Sequence, residues 1–376
     1  MAERGRALDL LCERVLSTRA AIGEAWPYHA DPATGAWSTT DDGDWCAGHW
    51  IECVRIAGER SNSLALIEEA RERTERVRPK LERDDMFRGH RFYYSAARLW
   101  QMLEDRDMRT LALAAAYAVR SMAIPANGAM PIGTQVQVKS TALASRTIVA
   151  IDNVHPNLIL DWWAFKETGD ETFVDGARAH LDTTIADFIR PDGSTVEFIE
   201  YHPRTCEVLR EFTLLGAHDK SCWSRGQAWA IAGFLRAWEA LGEPRYLEAA
   251  RTLFDYWWER VGPDRIPPYD FLDPALPDVP IDSSASAIVV EQLARLAVSD
   301  TLSDAARPLV ARLEPMIEGL CRRLTPLDPD DRRPSGMLID GCFNQPKRVA
   351  NRHELLWGDA YLLMALYYLE TGKAPA

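Results

Sequence analysis

The chain has 376 residues, and its 43 lysines and arginines against 56 aspartates and glutamates give a formal net charge of −13. Hydrophobic residues make up 47% and charged residues 26%, a balance typical of globular proteins that excludes a disordered or low-complexity chain. The acidic balance also argues against nucleic acid and against an anionic membrane surface as partners, because both require a basic protein surface.

Targeting and redox signals are weak along the sequence. Charged residues interrupt every apolar run in the first 21 residues, and no stretch approaches the roughly 18 apolar residues of a membrane span. The seven cysteines form no Cys-x-x-Cys pair, so the sequence indicates neither a disulfide framework nor a cysteine-bound metal. We therefore expect a cytoplasmic protein with buried thiols.

In chain order, the sequence predicts helices separated by short polar turns. Long segments carry apolar residues three or four positions apart, and strand signals are weak. The predicted turns lie at Ala57-Gly58-Glu59, Glu104-Asp105-Arg106, Thr168-Gly169-Asp170, Leu241-Gly242-Glu243, Val298-Ser299-Asp300 and Glu370-Thr371-Gly372. Glycine tolerates the left-handed backbone at a helix C-terminus, and an acidic residue suits the next helix N-terminus. The pattern indicates a degenerate repeat of helical pairs with a period of about 50–70 residues.

Six such pairs can form an open solenoid or a closed ring, and two features favour the ring. The lengths of the pairs vary, whereas solenoids prefer uniform repeats, and 13 tryptophans suit a thick aromatic core or a lined pocket. We therefore predict an all-α fold, an (α/α)6 barrel of six helical hairpins, as a single catalytic domain over residues 1–376. The proline-rich stretch 263–280 is predicted to be a loop at the mouth of this barrel.

Polar clusters precede the first helix of each pair. They contain Trp45, His90, Asp152, Arg225, Asp282 and His353. Most of them lie about 15–19 residues before the next turn, and a helix of that length spans about 25 Å. The clusters are therefore expected to gather at one end of the barrel, where convergent polar and aromatic groups predict an active site.

Several short motifs recur in a fixed order between about residues 37 and 370. The most specific is Trp223-Ser-Arg-Gly-Gln-Ala-Trp229. The others are Trp45-x-x-Gly48-x-Trp50, Gly89-His90, Ile151-Asp152-Asn153, Arg190-Pro-Asp-Gly-Ser194, Pro268-Tyr269-Asp270-Phe271, Asp282-Ser-Ser-Ala285 and Trp357-Gly-Asp359. In these motifs and their order the chain resembles glycoside hydrolase family 88, the unsaturated glucuronyl hydrolases.

The resemblance implies an (α/α)6 barrel that hydrates an unsaturated sugar without a metal or an organic cofactor. In such enzymes a carboxylic acid protonates C4 of a C4=C5 double bond, water adds at C5, the ring opens and the aglycone leaves. Asp152 matches the family's general acid and base, a role that requires a pocket able to raise the pKa of a carboxyl. The alternative role for Asp152 is an ordinary cap of a helix beginning near Asn153.

The same motifs supply predicted substrate-binding residues. Arg225 and Gln227 belong to the most specific motif, and a guanidinium binds a carboxylate or hydroxyls well. Trp45 and Trp229 offer faces for sugar stacking, and His90 is expected in the pocket wall. The alternatives are a buried Arg225 paired with an acid, two core tryptophans and a structural histidine. The expected partner is a small saccharide or sugar-derived substrate.

The sequence departs from the family pattern at three positions. Arg91 stands where the family has an aspartate that contacts the substrate, Glu197 where it usually has a histidine near the attacking water, and Leu215 where it has a glutamine. Arg91 either lowers the pKa of Asp152 and disarms it as an acid, or binds a more anionic substrate. Glu197 would restore a second carboxyl, so Asp152 and Glu197 are the predicted catalytic residues.

The sequence therefore predicts a hydrolase that protonates and hydrates the C4=C5 enol ether of an unsaturated uronide or related sugar. One alternative is a relative with diverged chemistry, a hydratase, lyase or isomerase acting on an unusual unsaturated sugar in small-molecule biosynthesis. Another is a barrel that binds a saccharide without catalysis. The presence of both Asp152 and Arg225 argues against this last alternative.

Overall fold

The computed structural model describes residues 2–136, 146–299 and 304–375, which form two layers of α-helices. The inner helices are α2 (Ala47–Arg60), α4 and α5 (Arg88–Phe92 and Arg98–Leu103, joined by the π-helical residues Tyr93–Ala97), α7 (Pro156–Thr168), α9 (Ser224–Leu241), α11 (Ser283–Ala297) and α14 (Leu356–Thr371). The outer helices are α1 (Ala2–Ile22), α3 (Leu64–Val77), α6 (Arg106–Arg120), α8 (Glu171–Asp187), α10 (Pro244–Arg260), α12 (Arg307–Val310) and α13 (Leu313–Cys321). Among the described helices, none has the length and apolar character that crossing a bilayer requires.

The inner helices close into a ring. Each packs against the next in chain order, from α2 through α4, α7, α9 and α11 to α14, and α14 packs back against α2. Fourteen of the 15 residues of α11 and 12 of the 16 residues of α14 are buried, as expected for helices enclosed by neighbours on both sides and by an outer layer. The predicted (α/α)6 barrel is confirmed.

The sixth hairpin is assembled differently from the prediction. No helix follows the turn at Glu370-Thr371-Gly372 within the described residues, and α14 packs instead against α1, which also contacts α2 and α13. The first and last helices of the barrel therefore form one pair. This pairing joins the two ends of the chain, and nothing in the local sequence of either end encodes it.

Most predicted turns are where the sequence placed them, and one is displaced. Gly169 and Gly242 end α7 and α9 in the left-handed conformation, with φ of 71° and 68°. The turn predicted at Ala57-Gly58-Glu59 lies instead at 61–63, because α2 continues through Gly58. A Cβ atom at Gly58 would lie 2.8 Å from Ile67 of α3, so this glycine serves close helix packing and not helix termination. Asp300 of the fifth predicted turn lies outside the described residues.

Two small antiparallel sheets lie beside the barrel mouth and were not predicted from the sequence. One contains β1 (Trp26–Ala30), β2 (Trp37–Thr40) and β6 (Glu354–Leu355), in the order β2-β1-β6. The other contains β3 (Ile148–Ala150), β4 (Phe198–Tyr201) and β5 (Val208–Phe212), in the order β3-β4-β5. Strands of two to five residues are too short for a clear alternating pattern. The second sheet positions the candidate site, because its strands lead directly into Asp152 and Glu197.

Two glycines allow the N-terminal ends of three inner helices to meet closely. A Cβ atom at Gly48 of α2 would lie 2.1 Å from the carbonyl oxygen of His90. A Cβ atom at Gly89 of α4 would lie 1.9 Å from the carbonyl oxygen of Pro156, at the start of α7. Both distances are far shorter than a van der Waals contact. The mouth therefore has its present width because these positions lack a side chain.

We expect Gly89→Ala to destabilise the fold by about 3 kcal/mol, because the methyl group meets rigid backbone and the helices must separate. Urea unfolding of the variant and the wild type measures this difference. Gly262→Ala is the matched control, since a Cβ atom there would have nothing within 4 Å, and its expected change is within about 0.5 kcal/mol. Equal stabilities of the two variants would contradict the close helix contact at Gly89.

Candidate active site

Asp152 lies at the mouth of the barrel, between β3 and α7. It belongs to a 3-10 helical segment, Ile151–Val154, and α7 begins after it at Pro156. Its Oδ1 atom is buried and has no hydrogen-bond partner among the described residues. Burial and the nearby charge of Glu197 raise the pKa of Asp152 to about 7, against a smaller lowering effect of the Arg225 guanidinium. Asp152 is thus a partly buried acid with one unpartnered oxygen and a pKa near neutral pH.

Glu197 lies beside Asp152 because of the pairing between β3 and β4. The ladder aligns Ala150 with Phe198, and beyond it the backbone N–H of Ile151 donates to the carbonyl of Glu197 at 2.9 Å. Asp152 directly follows Ile151, and Ile151 is hydrogen-bonded to Glu197. Two acidic side chains are therefore brought to one place by two short strands.

The two oxygens of the Glu197 carboxyl have different surroundings. Oε2 accepts hydrogen bonds from the Thr213 hydroxyl and from the backbone N–H groups of Leu214 and Leu215, the last two at 2.9 and 3.0 Å. Oε1 is buried and has no partner among the described residues. Burial raises the pKa of Glu197, and the hydrogen bonds to Oε2 oppose the increase because they stabilise the anion. The hydrogen bonds to Oε2 therefore stabilise the Glu197 anion, whereas Oδ1 of Asp152 has no such donor among the described residues.

Leu215 contributes its backbone to this arrangement. Its N–H group binds the Glu197 carboxylate, and the following residue, Gly216, donates its N–H to the Thr213 hydroxyl at 2.8 Å. An apolar side chain at position 215 does not disturb this turn, because the turn is made of main-chain groups. Position 215 therefore contributes to the Glu197 environment through its main chain.

Arg225 is buried and connects three inner helices. Its side chain is on α9 and pairs with Asp282, which caps α11 by accepting from the N–H of Ser284 at 3.1 Å. The guanidinium also donates to the carbonyl oxygens of Cys342 and Phe343, at 2.7 and 2.9 Å, in the segment that leads to α14. The residue is 2% exposed. The alternative of a buried arginine paired with an acid therefore describes its geometry, and direct substrate binding by Arg225 stays a prediction.

Gln227 is buried and its side chain is hydrogen-bonded within the fold, and its predicted substrate contact stays a prediction. Its amide donates to the carbonyl oxygens of Gly193 and Leu253, at 2.7 and 3.0 Å, and accepts from the Cys222 thiol. Residues two apart on a helix point in nearly opposite directions, so Gln227 cannot share the face of Arg225. Gln227 instead joins α9 to α10 and to the turn around Gly193.

Trp45, His90 and Trp229 form a continuous aromatic contact at the mouth. The Trp45 ring lies 5.0 Å from the His90 ring, which lies 5.4 Å from the Trp229 ring. Trp45 is partly exposed and donates its indole N–H to the Tyr28 hydroxyl at 3.0 Å. Trp229 is 1% exposed. Trp45 is therefore positioned to offer a face to a sugar, whereas Trp229 lies beneath the surface of the mouth.

A buried histidine and tyrosine cluster lies below these rings and was missed from the sequence. His155 stacks on Trp229 at 5.7 Å, and His49 lies 5.3 Å from both His90 and Tyr361. Burial lowers the pKa of His49 and of His155 to about 3, so both rings are neutral at physiological pH. His49 lies inside the motif Trp45-x-x-Gly48-x-Trp50, and His155 lies two residues after the motif Ile151-Asp152-Asn153. Their position in or next to those motifs was the signal that could have identified them.

Arg91 forms an ion pair with an acid of its own segment. Its guanidinium donates to both oxygens of Asp85, at 2.8 and 3.0 Å, and lies over the Phe87 ring. The residue is 1% exposed. The suggestion that Arg91 lowers the pKa of Asp152 is corrected, because the pKa of Asp152 is raised and Arg91 is not among the groups that shift it. Asp85, six residues earlier, was not recognised as the partner of Arg91.

The proline-rich segment 263–280 contains no helix, as predicted, and it borders the site. A β-bridge joins Asp270 of this segment to Trp223 at the start of α9. The Asp270 carboxylate accepts hydrogen bonds from the Ser221 hydroxyl and from the N–H of Ala217. The segment thereby supports the turn that carries Leu215.

The fold and the site together define a class of protein. It is an (α/α)6 barrel whose mouth holds two carboxyl groups of raised pKa beside an aromatic surface and a buried guanidinium. In the described part of the chain, no group of three or more histidine, cysteine or acidic residues is arranged to hold a metal ion.

Comparison with known proteins identifies the relatives of this chain. No family model matches it. The unsaturated glucuronyl hydrolase of Bacillus sp. (strain GL1) is 29% identical over 93% of this chain and 92% of the relative. The unsaturated chondroitin disaccharide hydrolase of Streptococcus pyogenes serotype M1 is 26% identical over 96% of this chain and 90% of the relative.

A solved structure agrees with these sequence relatives. The crystal structure of unsaturated glucuronyl hydrolase from Bacillus sp. GL1 superposes with a TM-score of 0.85 at 25% identity, covering 98% of this chain and 97% of that chain. The chain is thus similar to the unsaturated glucuronyl hydrolases over nearly its whole length. The resemblance indicated by its motifs is confirmed.

Proposed function

We propose that this chain is an enzyme that hydrolyses an unsaturated uronide, with Asp152 as general acid and base and Glu197 as the second carboxyl. The observation that carries the proposal is the environment of Asp152. Oδ1 of its carboxyl has no partner among the described residues, and its pKa is raised to about 7. A group with that pKa can donate and accept a proton at neutral pH, which acid–base catalysis requires. The names of the relatives, a glucuronyl hydrolase and a chondroitin disaccharide hydrolase, supply the substrate class.

The first chemical step is a proton transfer from Asp152 to C4 of the sugar. The π electrons of the C4=C5 bond form the new C4–H bond, and the positive charge that develops at C5 is shared with the ring oxygen. Asp152 becomes a carboxylate, and the ionised Glu197 nearby stabilises the cation. The hydrogen bonds to Oε2 of Glu197 hold the free Oε1 in place, so this charge needs no rearrangement during the step.

The second step is the addition of water at C5. A C5–O bond forms, and the Asp152 carboxylate accepts the proton that the water loses, which regenerates the acid. The product is a hemiketal. When its bond between C5 and the ring oxygen breaks, the C5 hydroxyl becomes a C5=O ketone and its proton passes to the ring oxygen, which becomes a hydroxyl on C1. This C1 hydroxyl then forms an aldehyde as the bond to the aglycone breaks, and its proton passes to the aglycone oxygen, which leaves as an alcohol.

The test uses unsaturated disaccharides derived from chondroitin, hyaluronan, heparin and pectin. We expect the wild-type protein to remove the ultraviolet absorbance of the conjugated enol from at least one of them. Asp152→Asn should abolish this decay. The absence of decay with all four would reject the proposal. Thermal stabilisation by one of the disaccharides without any decay would favour a diverged activity or a saccharide-binding barrel.

Glu197→Gln should lower kcat about 100-fold, because it removes the charge that stabilises the developing cation. It should also move the alkaline limb of the pH profile to lower pH, since Glu197 is one of the causes of the raised pKa of Asp152. Glu200→Gln on the same strand is the control, because Glu200 pairs with Arg210 outside the site at 2.6 Å. Undiminished activity of Glu197→Gln would remove Glu197 from the mechanism.

We also propose a cytoplasmic location. The seven cysteines are free thiols, a state that a reducing compartment maintains. Tagging the protein in its native host and comparing the soluble intracellular fraction with the secreted fraction tests this proposal. Recovery in the secreted fraction would reject it.

A further inference from the structure

We propose that Arg91, together with Lys80, positions the aromatic ring of Trp45 through the backbone of Asp44. Arg91 is then a positioning residue and does not bind the substrate. This inference rests on the proposed function, because it concerns the sugar-binding face of the same mouth. It assigns a role to a cation that replaces the carboxylate of the family pattern.

The carbonyl oxygen of Asp44 accepts hydrogen bonds from two buried cations. Nε of Arg91 and Nζ of Lys80 each donate to it at 3.0 Å. Lys80 also pairs with the Asp42 carboxylate at 2.9 Å, and Arg91 pairs with Asp85. Each cation therefore has an acidic partner, and each has a further N–H group that binds the neutral carbonyl of Asp44.

The Asp44 backbone needs this support. Its φ is +45°, in the left-handed region that non-glycine residues rarely occupy. A strained backbone of this kind persists only where the surroundings hold it in place. The charge-assisted hydrogen bonds from Arg91 and Lys80 to the Asp44 carbonyl stabilise this conformation.

Trp45 is the next residue, so the orientation of its ring depends on this peptide. The Trp45 ring packs 5.0 Å from His90 and 4.9 Å from Trp357, and its indole N–H binds Tyr28. A different backbone conformation at Asp44 would swing the ring out of these contacts. The aromatic face available to a sugar would be displaced with it.

The geometry of Arg91 leaves little of its guanidinium for a substrate. Nη1 is occupied by both oxygens of Asp85, Nε by the Asp44 carbonyl, and the Phe87 ring covers the group. An arginine serves this purpose better than a lysine, because its planar guanidinium donates in two directions at once. Arg91 thereby bridges the Asp85 carboxylate and the Asp44 carbonyl.

The decisive experiment combines Arg91→Met with Asp44→Gly. Arg91→Met should raise KM about tenfold and change kcat less, because sugar binding weakens while Asp152 is untouched. Glycine adopts a left-handed backbone without strain, so the double variant Arg91→Met/Asp44→Gly should recover most of the lost affinity. A direct contact between Arg91 and the substrate would allow no such rescue.

Two further variants control the result. Arg83→Met removes a cation that also pairs with Asp85, at 2.9 Å, but does not contact Asp44, and it should leave KM unchanged. Arg91→Lys should lie between the wild type and Arg91→Met, since one ammonium reaches Asp85 or Asp44 but not both. Arg91→Lys with Asp44→Gly also tests the rescue if Arg91→Met fails to fold.

The outcomes separate this inference from the proposed function. Wild-type protein that is inactive on all four disaccharides rejects the function, and the inference with it. Active wild-type protein with a raised KM in the Arg91 variants and no rescue by Asp44→Gly rejects the inference alone. An unchanged KM in Arg91→Met rejects it equally. Recovery of affinity by glycine at position 44 supports it.

Discussion

Asp152→Asn is expected to lower kcat by about 1,000-fold or more, because general acid–base catalysis contributes factors of about 100 to 10,000 and this group acts in both steps. The substitution preserves size and shape, so KM should change little. Steady-state kinetics on the best disaccharide measures both constants. Asp161→Asn is the matched control. Asp161 is also buried with a pKa raised to about 7, but it pairs with Arg120 at 2.7 Å away from the mouth.

The pH dependence of the wild type follows from the same group. Asp152 must be protonated to act as an acid, so kcat/KM should fall as pH rises through the pKa of about 7. The neutral histidines beneath the site do not titrate in this range, because burial lowers their pKa to about 3. An alkaline limb near pH 5 would instead indicate an acid with an ordinary pKa and would contradict the assignment.

Stability provides an independent test of the raised pKa. The folded state favours the protonated carboxyl, so this contribution is complete below the unfolded value of 3.8 and is lost as pH rises through about 7. Asparagine cannot ionise, so Asp152→Asn avoids the stability that the wild type loses as Asp152 ionises. The variant should therefore be more stable than the wild type at a pH of about 8 but not at a pH of about 4. A difference of about three pKa units sets an upper limit of about 4 kcal/mol on the gain. Equal stability at both pH values would show that Asp152 ionises freely in the fold.

The barrel and the position of Asp152 could be predicted because both depend on local sequence. Apolar spacing defines each helix, and the polar clusters lie one helix length from the turns, so they reach the same end of the barrel. Short-range patterns did not reveal the pairing of α1 with α14, which joins the two ends of the chain. Nor did they reveal the strands that bring Glu197 to Asp152, because three paired residues are too few for a periodic signal.

The direction of individual side chains was the other limit of prediction. Arg225 and Gln227 belong to one motif, yet helix geometry turns one toward Asp282 and the other toward Gly193. Counting positions around the helix would have separated them. Arg91 illustrates the opposite case, because its partner Asp85 comes from the loop before the helix. Viewed alone in the sequence, the positive charge of Arg91 suggested a reversed electrostatic field at the site. In the structure this charge is paired with Asp85, and the guanidinium also binds the backbone carbonyl of Asp44.

Arg225→Met is the second substitution with a large expected effect, and the effect is on stability. Asp282 has no exposed surface, and removal of its partner leaves a carboxylate buried without a countercharge. Breaking such a pair typically costs about 3–5 kcal/mol. The substitution also frees the carbonyl groups of Cys342 and Phe343, so the ties from α9 to α11 and to the segment before α14 are lost together. Urea unfolding measures the loss.

The double variant Arg225→Met/Asp282→Asn separates the structural role of Arg225 from the predicted substrate contact. Asparagine removes the buried charge but can still accept the hydrogen bonds of Ser284 and Cys342 that Asp282 accepts, so the double variant should regain part of the stability lost by Arg225→Met. If Arg225 also binds the substrate, the double variant folds but retains a raised KM. If its role is only structural, KM returns toward the wild-type value along with the stability. Arg225→Met with wild-type stability would contradict the buried pair itself, because a guanidinium that connects α9 to α11 cannot be removed without cost.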